Sequence, residues 1–358
     1  MILNLNLLKL LFILVPLFCL VRLQETLLLD IIGENIKFTD ASEVFPTIER
    51  RLRGKKVLLV LDDISNDEQL DSLAGNHDWF GTGSRVIITT RFPFLLKFHG
   101  VHHQYKLELL HEEEALELFC WKAFESRDVD PIYMELSKSI VRYTQGIPLV
   151  LELIGSGLFG KPISEWKYIF DSYLSHGEDD QSIWRLLHKI SYEGLDDDVK
   201  TVFLDIACCF NGYKVDFLTD LFLNARGFSP TYALQVLISK SLIKIDGGVV
   251  RMHDTVQMIG RSIVKEEPPI EPGKRSRLWY YEDILDVLKN NTGGPAVEIM
   301  KIDLPKDKQV LWDGNGFKNM ENLKILEIIN ARFSEVPKIF ANSLKVLNWK
   351  GYFGGANQ

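Results

Sequence analysis

The sequence predicts an α/β chain: an incomplete parallel sheet near the amino end, then a helical region, a winged helix and the first units of a leucine-rich repeat. Three stretches carry that prediction. Residues 55–64 (Lys-Lys-Val-Leu-Leu-Val-Leu-Asp-Asp-Ile) hold an unbroken apolar run of strand length, the pattern of a parallel strand buried on both faces. Residues 242–245 and 249–252, joined by Asp246-Gly247-Gly248, have the composition of a β-hairpin. Leu323-x-x-Leu326-x-Ile328 recurs 21 positions later as Leu344-x-x-Leu347-x-Trp349, which is leucine-rich-repeat phasing.

A chain of 358 residues has room for two or three compact units, and 46% apolar with 25% charged residues is ordinary for a protein with real cores. The formal net charge of −8 argues against bulk attraction to nucleic acid or anionic lipid. Cys19, Cys120, Cys208 and Cys209 show no metal-ligand spacing and read as reduced thiols of a cytosolic protein. Residues 1–21 stand apart. From Leu7 to Val21 the only polar side chain is Lys9, and Pro16 interrupts the run. It is shorter than the ~20 residues of a membrane span. It also lacks the basic end and small-residue cleavage site of a signal peptide. Three readings stay open: a truncated or mis-joined end, a genuine signal or anchor, and a core segment. Membrane contact is expected only under the second.

Next in order, Leu23, Leu27, Leu28, Ile31 and Ile32 have helical spacing that stops near Gly33, and residues 44–52 form a second amphipathic stretch ending at Gly54. After the strand at 57–61, residues 66–74 read as a short helix. Gly81-Thr82-Gly83-Ser84 then turns the chain into a β-branched strand that ends at Arg91. Strand, helix, strand in succession implies a right-handed parallel crossover. Asp62, Asp63 and Arg91 therefore fall at carboxyl ends of neighbouring strands, the edge where open α/β sheets bind ligands. Paired carboxylates there suit a hard cation, and an arginine suits a terminal phosphate. The plainer reading is a solvated turn beside an arginine lying along the sheet rim.

His99, His102 and His103 lack the carboxylate or cysteine that would complete a metal set. Residues 112–124 read as a helix opened by three glutamates that suit its dipole. In Gly146-Ile147-Pro148-Leu149 the proline sits where the first turn of a buried helix tolerates it. Gly155-Ser156-Gly157-Leu158-Phe159-Gly160 matches G-x-G-x-x-G by letter, but the run before it reads as helix and Pro162 follows at once. A dinucleotide fingerprint must instead leave a strand, so these glycines are expected to end a helix.

Residues 181–190 and 198–211 add two helices, the second capped by Asp196-Asp197-Asp198. Helices followed by the hairpin make a winged helix, which raises DNA binding. Between Leu195 and Lys265 there are eight basic and eight acidic residues, no footprint for a phosphate backbone, so no nucleic-acid partner is expected. Met252-His253-Asp254 follows at a strand-to-helix corner from which His253 could face a neighbouring domain. Residues 266–272 (Glu-Glu-Pro-Pro-Ile-Glu-Pro) form a stiff charged linker. Two partial repeats should not close a core alone, since a solenoid needs about three, so the carboxyl end is expected to be truncated.

Taken in order, these stretches resemble the NB-ARC nucleotide-binding switch of plant disease-resistance receptors, in the subclass with an amino-terminal TIR domain. Residues 55–64 are similar to its Walker B motif, 83–91 to its sensor motif and 146–149 to its G-L-P-L motif, with Ile147 for leucine. Residues 201–212 (Thr-Val-Phe-Leu-Asp-Ile-Ala-Cys-Cys-Phe-Asn-Gly) look like its winged-helix signature, and Met252-His253-Asp254 its M-H-D motif. The resemblance implies a P-loop-NTPase-like sheet followed by a helical ARC subdomain, winged helix and repeats. The domains would be 22–125 (partial nucleotide-binding), 126–190 (helical ARC), 191–290 (winged helix) and 291–358 (linker and first repeats), with 1–21 the apolar segment. Asp62 would hold Mg²⁺ through water and Asp63 would polarise the attacking water. Arg91 would sense the terminal phosphate, Pro148 pack on adenine, and His253 reach the β-phosphate of ADP. ADP or ATP with Mg²⁺, other immune receptors or pathogen effectors as partners, and a cytoplasmic location are implied likewise. The family's G-x-x-x-x-G-K-[ST] loop occurs nowhere in these residues. The expectation is therefore a receptor fragment that binds nucleotide weakly and is not an active ATPase. Its rival is a truncated regulator that pairs with full-length receptors through winged-helix and repeat surfaces.

Overall fold

The computed structural model describes residues 20–350, apart from 34–35, 37, 39–43, 76–78, 102, 127–128, 175–184, 268–269 and 305–308. The readings of the apolar segment fall almost wholly outside the described residues. Among those described, no helix is long and apolar enough to cross a membrane. The chain divides into two compact units, Met1–Leu107 and Glu108–Gln358.

In the first unit, α1 (Leu20–Ile32) and α2 (Val44–Leu52) precede β1 (Leu58–Leu61), α3 (Asp67–Ala74), β2 (Arg85–Ile88) and α4 (Pro93–Phe98). Asn66 caps α3 by accepting from the Gln69 amide, which satisfies one of the orphan donors of its first turn. β1 and β2 pair in parallel, with Leu58 opposite Arg85 and Leu61 opposite Ile88. Leu59 and Leu61 face a core shared with Leu28, Ile48, Leu70 and Leu73 from the three helices. The expectation of burial on both faces is corrected here: Leu58 is 38% and Ile87 51% exposed. Side chains alternate along a strand, and among the described residues α1–α3 cover one face only. An unbroken apolar run reports hydrophobicity, not the presence of a second covering layer.

In the second unit, α5 (Glu112–Phe124), α6 (Pro131–Tyr143), α7 (Pro148–Leu158) and α8 (Ile163–Leu174) lead into the winged helix. That module comprises α9 (Asp197–Asp205), a π-helical continuation over Ile206–Phe210, α10 (Val215–Arg226), α11 (Thr231–Ser239), the hairpin β3 (Lys244–Asp246) and β4 (Val249–Arg251), and α12 (Asp254–Glu266). One core runs through all of these, from Ala115 to Val264. Helix α5 packs with the second unit, which begins at Glu108. The 155–160 glycines are corrected too. Gly155 and Gly157 lie inside α7, where a Cβ would come within 2.7 Å of Lys122 Cβ and 1.9 Å of Ile190 Cγ2. They permit close helix packing; only Gly160, at φ +73°, follows the helix end.

The last layer is a parallel sheet ordered β10-β8-β6-β5, from β5 (Arg277–Leu278), β6 (Ile299–Asp303), β8 (Ile325–Ile329) and β10 (Val346–Lys350). The short strands β7 (Gln309–Val310) and β9 (Arg332–Phe333) pair beside it, and α13 (Tyr281–Asn290) packs into the same core. The 21-residue period appears as register: Ile325 lies opposite Val346 and Ile328 opposite Trp349. This layer does close a core, contrary to expectation. Val297-x-x-Met300-x-Ile302 supplies a third rung that its substituted leucines concealed, and α13 with Leu278 caps it. This core takes in residues from Leu278 onward.

Candidate functional site

The two carboxylates leave β1 on a sharp turn. Asp63 adopts φ +53°, a left-handed backbone uncommon outside glycine and most accessible to Asp and Asn. Thr89, at the end of β2, holds that turn. Its Oγ1 accepts the Asp63 amide at 2.8 Å and donates to Asp62 Oδ1. Its backbone accepts from the Ile64 amide at 3.0 Å and donates to Leu61 at 2.9 Å. Arg91 then reaches Asp63 with both forks, Nε to Oδ1 at 3.2 Å and Nη2 to Oδ2 at 3.3 Å. The Arg91 side chain is 73% exposed and that of Asp63 33%. Asp62 Oδ2 accepts no hydrogen bond among the described residues. A free, hard carboxylate oxygen beside a second carboxylate and an accessible guanidinium is a donor set that fits Mg²⁺ and a phosphate.

The crossover thus brings Asp62, Asp63 and Arg91 together, as the sequence predicted. Pro148 and His253 belong to the second unit. Pro148 is the exposed first residue of α7. The loop before it is fixed because Gly146 packs on Leu110, whose amide donates to the Gly146 carbonyl at 3.1 Å; a Cβ there would lie 2.4 Å from the Leu110 carbonyl. His253 caps α12, its Nδ1 accepting from the Thr255 amide at 3.1 Å, which leaves Nε2 for other partners. Asn211 fixes the corner with two hydrogen bonds to the Met252 backbone, 2.9 and 3.1 Å.

Sequence reasoning overlooked Thr89, Asn211 and a buried ionic joint centred on Asp205. The Asp205 carboxylate accepts from Arg226 at 3.0 Å and from Arg277 Nε at 2.7 Å; Arg226 also bonds Glu298. Burial alone would raise the Glu298 carboxyl, but the hydrogen bond and charge of Arg226 hold it below the usual range. Nearby, Tyr213 donates to Glu327 at 2.7 Å, and Lys301 Nζ lies 4.7 Å from the Tyr213 ring centroid while donating to the Cys209 carbonyl. Burial pushes the Cys208 and Cys209 thiols up, Cys209 to about 12, so neither is a thiolate nucleophile at neutral pH. The only signal for Asp205 was a lone acid inside the otherwise apolar run 202–210.

Comparison with known proteins bears on both units. The NB-ARC domain profile matches residues 18–129, and that of the "Disease resistance protein Roq1-like, winged-helix domain" matches 196–268. Over 308 residues the chain is 35% identical to TMV resistance protein N of Nicotiana glutinosa, covering 86% of this chain and 26% of that one. It is 38% identical over 308 residues to Disease resistance protein RUN1 of Vitis rotundifolia, covering 86% and 23%. A solved structure, a Signal Transduction ATPase with Numerous Domains protein from Pyrococcus horikoshii, aligns at 20% identity and TM-score 0.43 over 70% of this chain and 33% of that one, too loosely to carry an argument.

Proposed function

Because this chain belongs to the NB-ARC family of plant disease-resistance proteins, we propose that it is the nucleotide-responsive part of such a receptor, taking ADP or ATP with Mg²⁺. It spans about a quarter of the length of the curated relatives it matches. The observation that carries the reading is the Asp62–Asp63–Arg91 cluster at the carboxyl edge of the sheet. Asp62 would hold the cation with its free oxygen. Arg91 would meet the terminal phosphate, and in doing so would leave Asp63, freeing that carboxylate to orient water. Pro148 would pack on the base and His253 offer Nε2 to the β-phosphate. A bound Mg²⁺ supplies charge neutralisation between phosphate oxygens.

These residues hold no G-x-x-x-x-G-K-[ST] loop, whose amides and lysine normally cradle the phosphates. Charge-assisted contacts contribute roughly 1.5–3 kcal/mol each, so the chain alone binds nucleotide orders of magnitude more weakly than with such a loop, and does not turn over ATP. Defence signalling in the cytoplasm, through other receptors or pathogen effectors, is the context that family membership supports. A second reading is a non-catalytic regulator that docks on full-length receptors through its winged-helix and repeat surfaces. Exposed Tyr232 and Met258 on α11 and α12 favour it.

Calorimetric titration of the purified chain with Mg·ADP tests the first reading. Millimolar-range affinity is expected. Micromolar affinity that His253→Ala weakens contradicts the weak-binding claim, and co-purification with an intact receptor in the absence of nucleotide favours the second reading.

A further inference from the structure

The end of the parallel sheet opposite Asp62 and Asp63 is a second charged surface. Arg50 and Arg51 close α2, Arg53, Lys55 and Lys56 form the turn into β1, and Arg85 opens β2; all six are exposed. They sit on a built scaffold. The Gly81 amide donates to the Lys55 carbonyl at 2.8 Å, Ser84 Oγ donates to the same carbonyl at 3.2 Å, and the Arg85 amide donates to Val57 at 2.9 Å. A Cβ on Gly81 would come within 2.6 Å of the Gly54 backbone, so the two turns are packed together. Arg50, Arg53, Lys55, Lys56 and Arg85 form no ion pair among the described residues. Asp62, Asp63, Asp67 and Glu68 lie toward the other end of the strands, while Glu49, beside Arg50 in α2, is an exposed acid on the basic side. Six exposed cations against the neighbouring Glu49 leave net positive charge on this surface for an outside anion to meet.

We propose that this surface docks an acidic protein segment interspersed with apolar side chains. Four of the six cations are arginines, whose planar forks match carboxylates two bonds at a time. The basic end also adjoins the uncovered sheet face, where Leu58 and Ile87 are 38% and 51% exposed and offer apolar contact. None of the nucleotide-facing residues takes part, so this surface goes beyond the function proposed above.

The test is fluorescence anisotropy of a labelled peptide alternating Glu and Leu, titrated with the full chain. Binding is expected, weakening as salt is raised. The combined substitutions Arg50→Glu, Arg53→Glu and Lys56→Glu should weaken it at least about tenfold. Equal binding by that variant overturns the proposal. So does a preference of the wild-type chain for phosphatidylserine vesicles over the peptide, or self-association that excludes the peptide. Should the triple variant fail to fold, the wild-type salt series decides, and binding indifferent to salt overturns the proposal.

Discussion

Two aspartate–arginine clusters in this chain use the same chemical groups under opposite conditions of solvation. At the sheet edge, Arg91 forks onto Asp63 with side chains 73% and 33% exposed. In the second unit, Arg226 and Arg277 converge on Asp205, at 6%, 6% and 0%. Water screens the first pair, so its members can exchange partners at small cost, which a ligand site requires. The second is closed to water; removing one member strands the others. Geometry alone would not separate a ligand site from a structural joint. Exposure does.

Asp205→Ala leaves the buried Arg277 without its carboxylate and Arg226 with Glu298 alone, and should cost about 3–5 kcal/mol in urea denaturation; a loss below about 1 kcal/mol would mean the joint is wetter than it stands. Gly157→Ala sharpens the packing side of the contrast. Its Cβ would lie 1.9 Å from Ile190 Cγ2, and the overpacking should cost about 1–3 kcal/mol by the same measurement. Tyr213→Phe deletes one hydrogen bond to Glu327, which keeps Asn348 as a donor at 2.7 Å, and should cost about 1.5 kcal/mol.

Acid titration separates the clusters further. Glu298 is held below its ordinary value of 4.5 in the fold, so it binds a proton less readily folded than unfolded. Its contribution is complete above about 4.5 and disappears as pH falls through the folded value, giving a loss of stability on the acid side that Glu298→Gln should flatten. At the opposite extreme, Asp63→Asn should change stability by less than about 1 kcal/mol, because its partner is at the surface. A larger loss would place Asp63 among the structural residues.

Much of the fold was legible in order and spacing. Helices ending at Gly33 and Gly54, the 58–61 and 85–88 strands, and the Asp246-Gly247-Gly248 hairpin follow from local rules of periodicity and turn chemistry. The meeting of Asp62, Asp63 and Arg91 follows from strand, helix, strand in succession, whose parallel pairing puts both carboxyl ends at one edge. What sequence reasoning missed was long-range. Asp205 pairs with Arg277 across 72 positions, and no local pattern announces it. The strand at 299–303 was hidden because Val297, Met300 and Ile302 stand where the 21-residue pattern has leucine or isoleucine, although they are buried in the same core. Gly155 and Gly157 were misassigned because glycine reads locally as a helix end, whereas here a neighbouring helix needs the space.

The central claim is that the exposed cluster exists for a ligand. Electron paramagnetic resonance of Mn²⁺, standing in for Mg²⁺, measures it directly in the presence of ADP. The wild-type chain should bind Mn²⁺·ADP weakly, and Asp62→Asn should abolish that binding while leaving the urea midpoint unmoved. Equal binding by both proteins, or a loss of binding that tracks a loss of stability, would contradict the account.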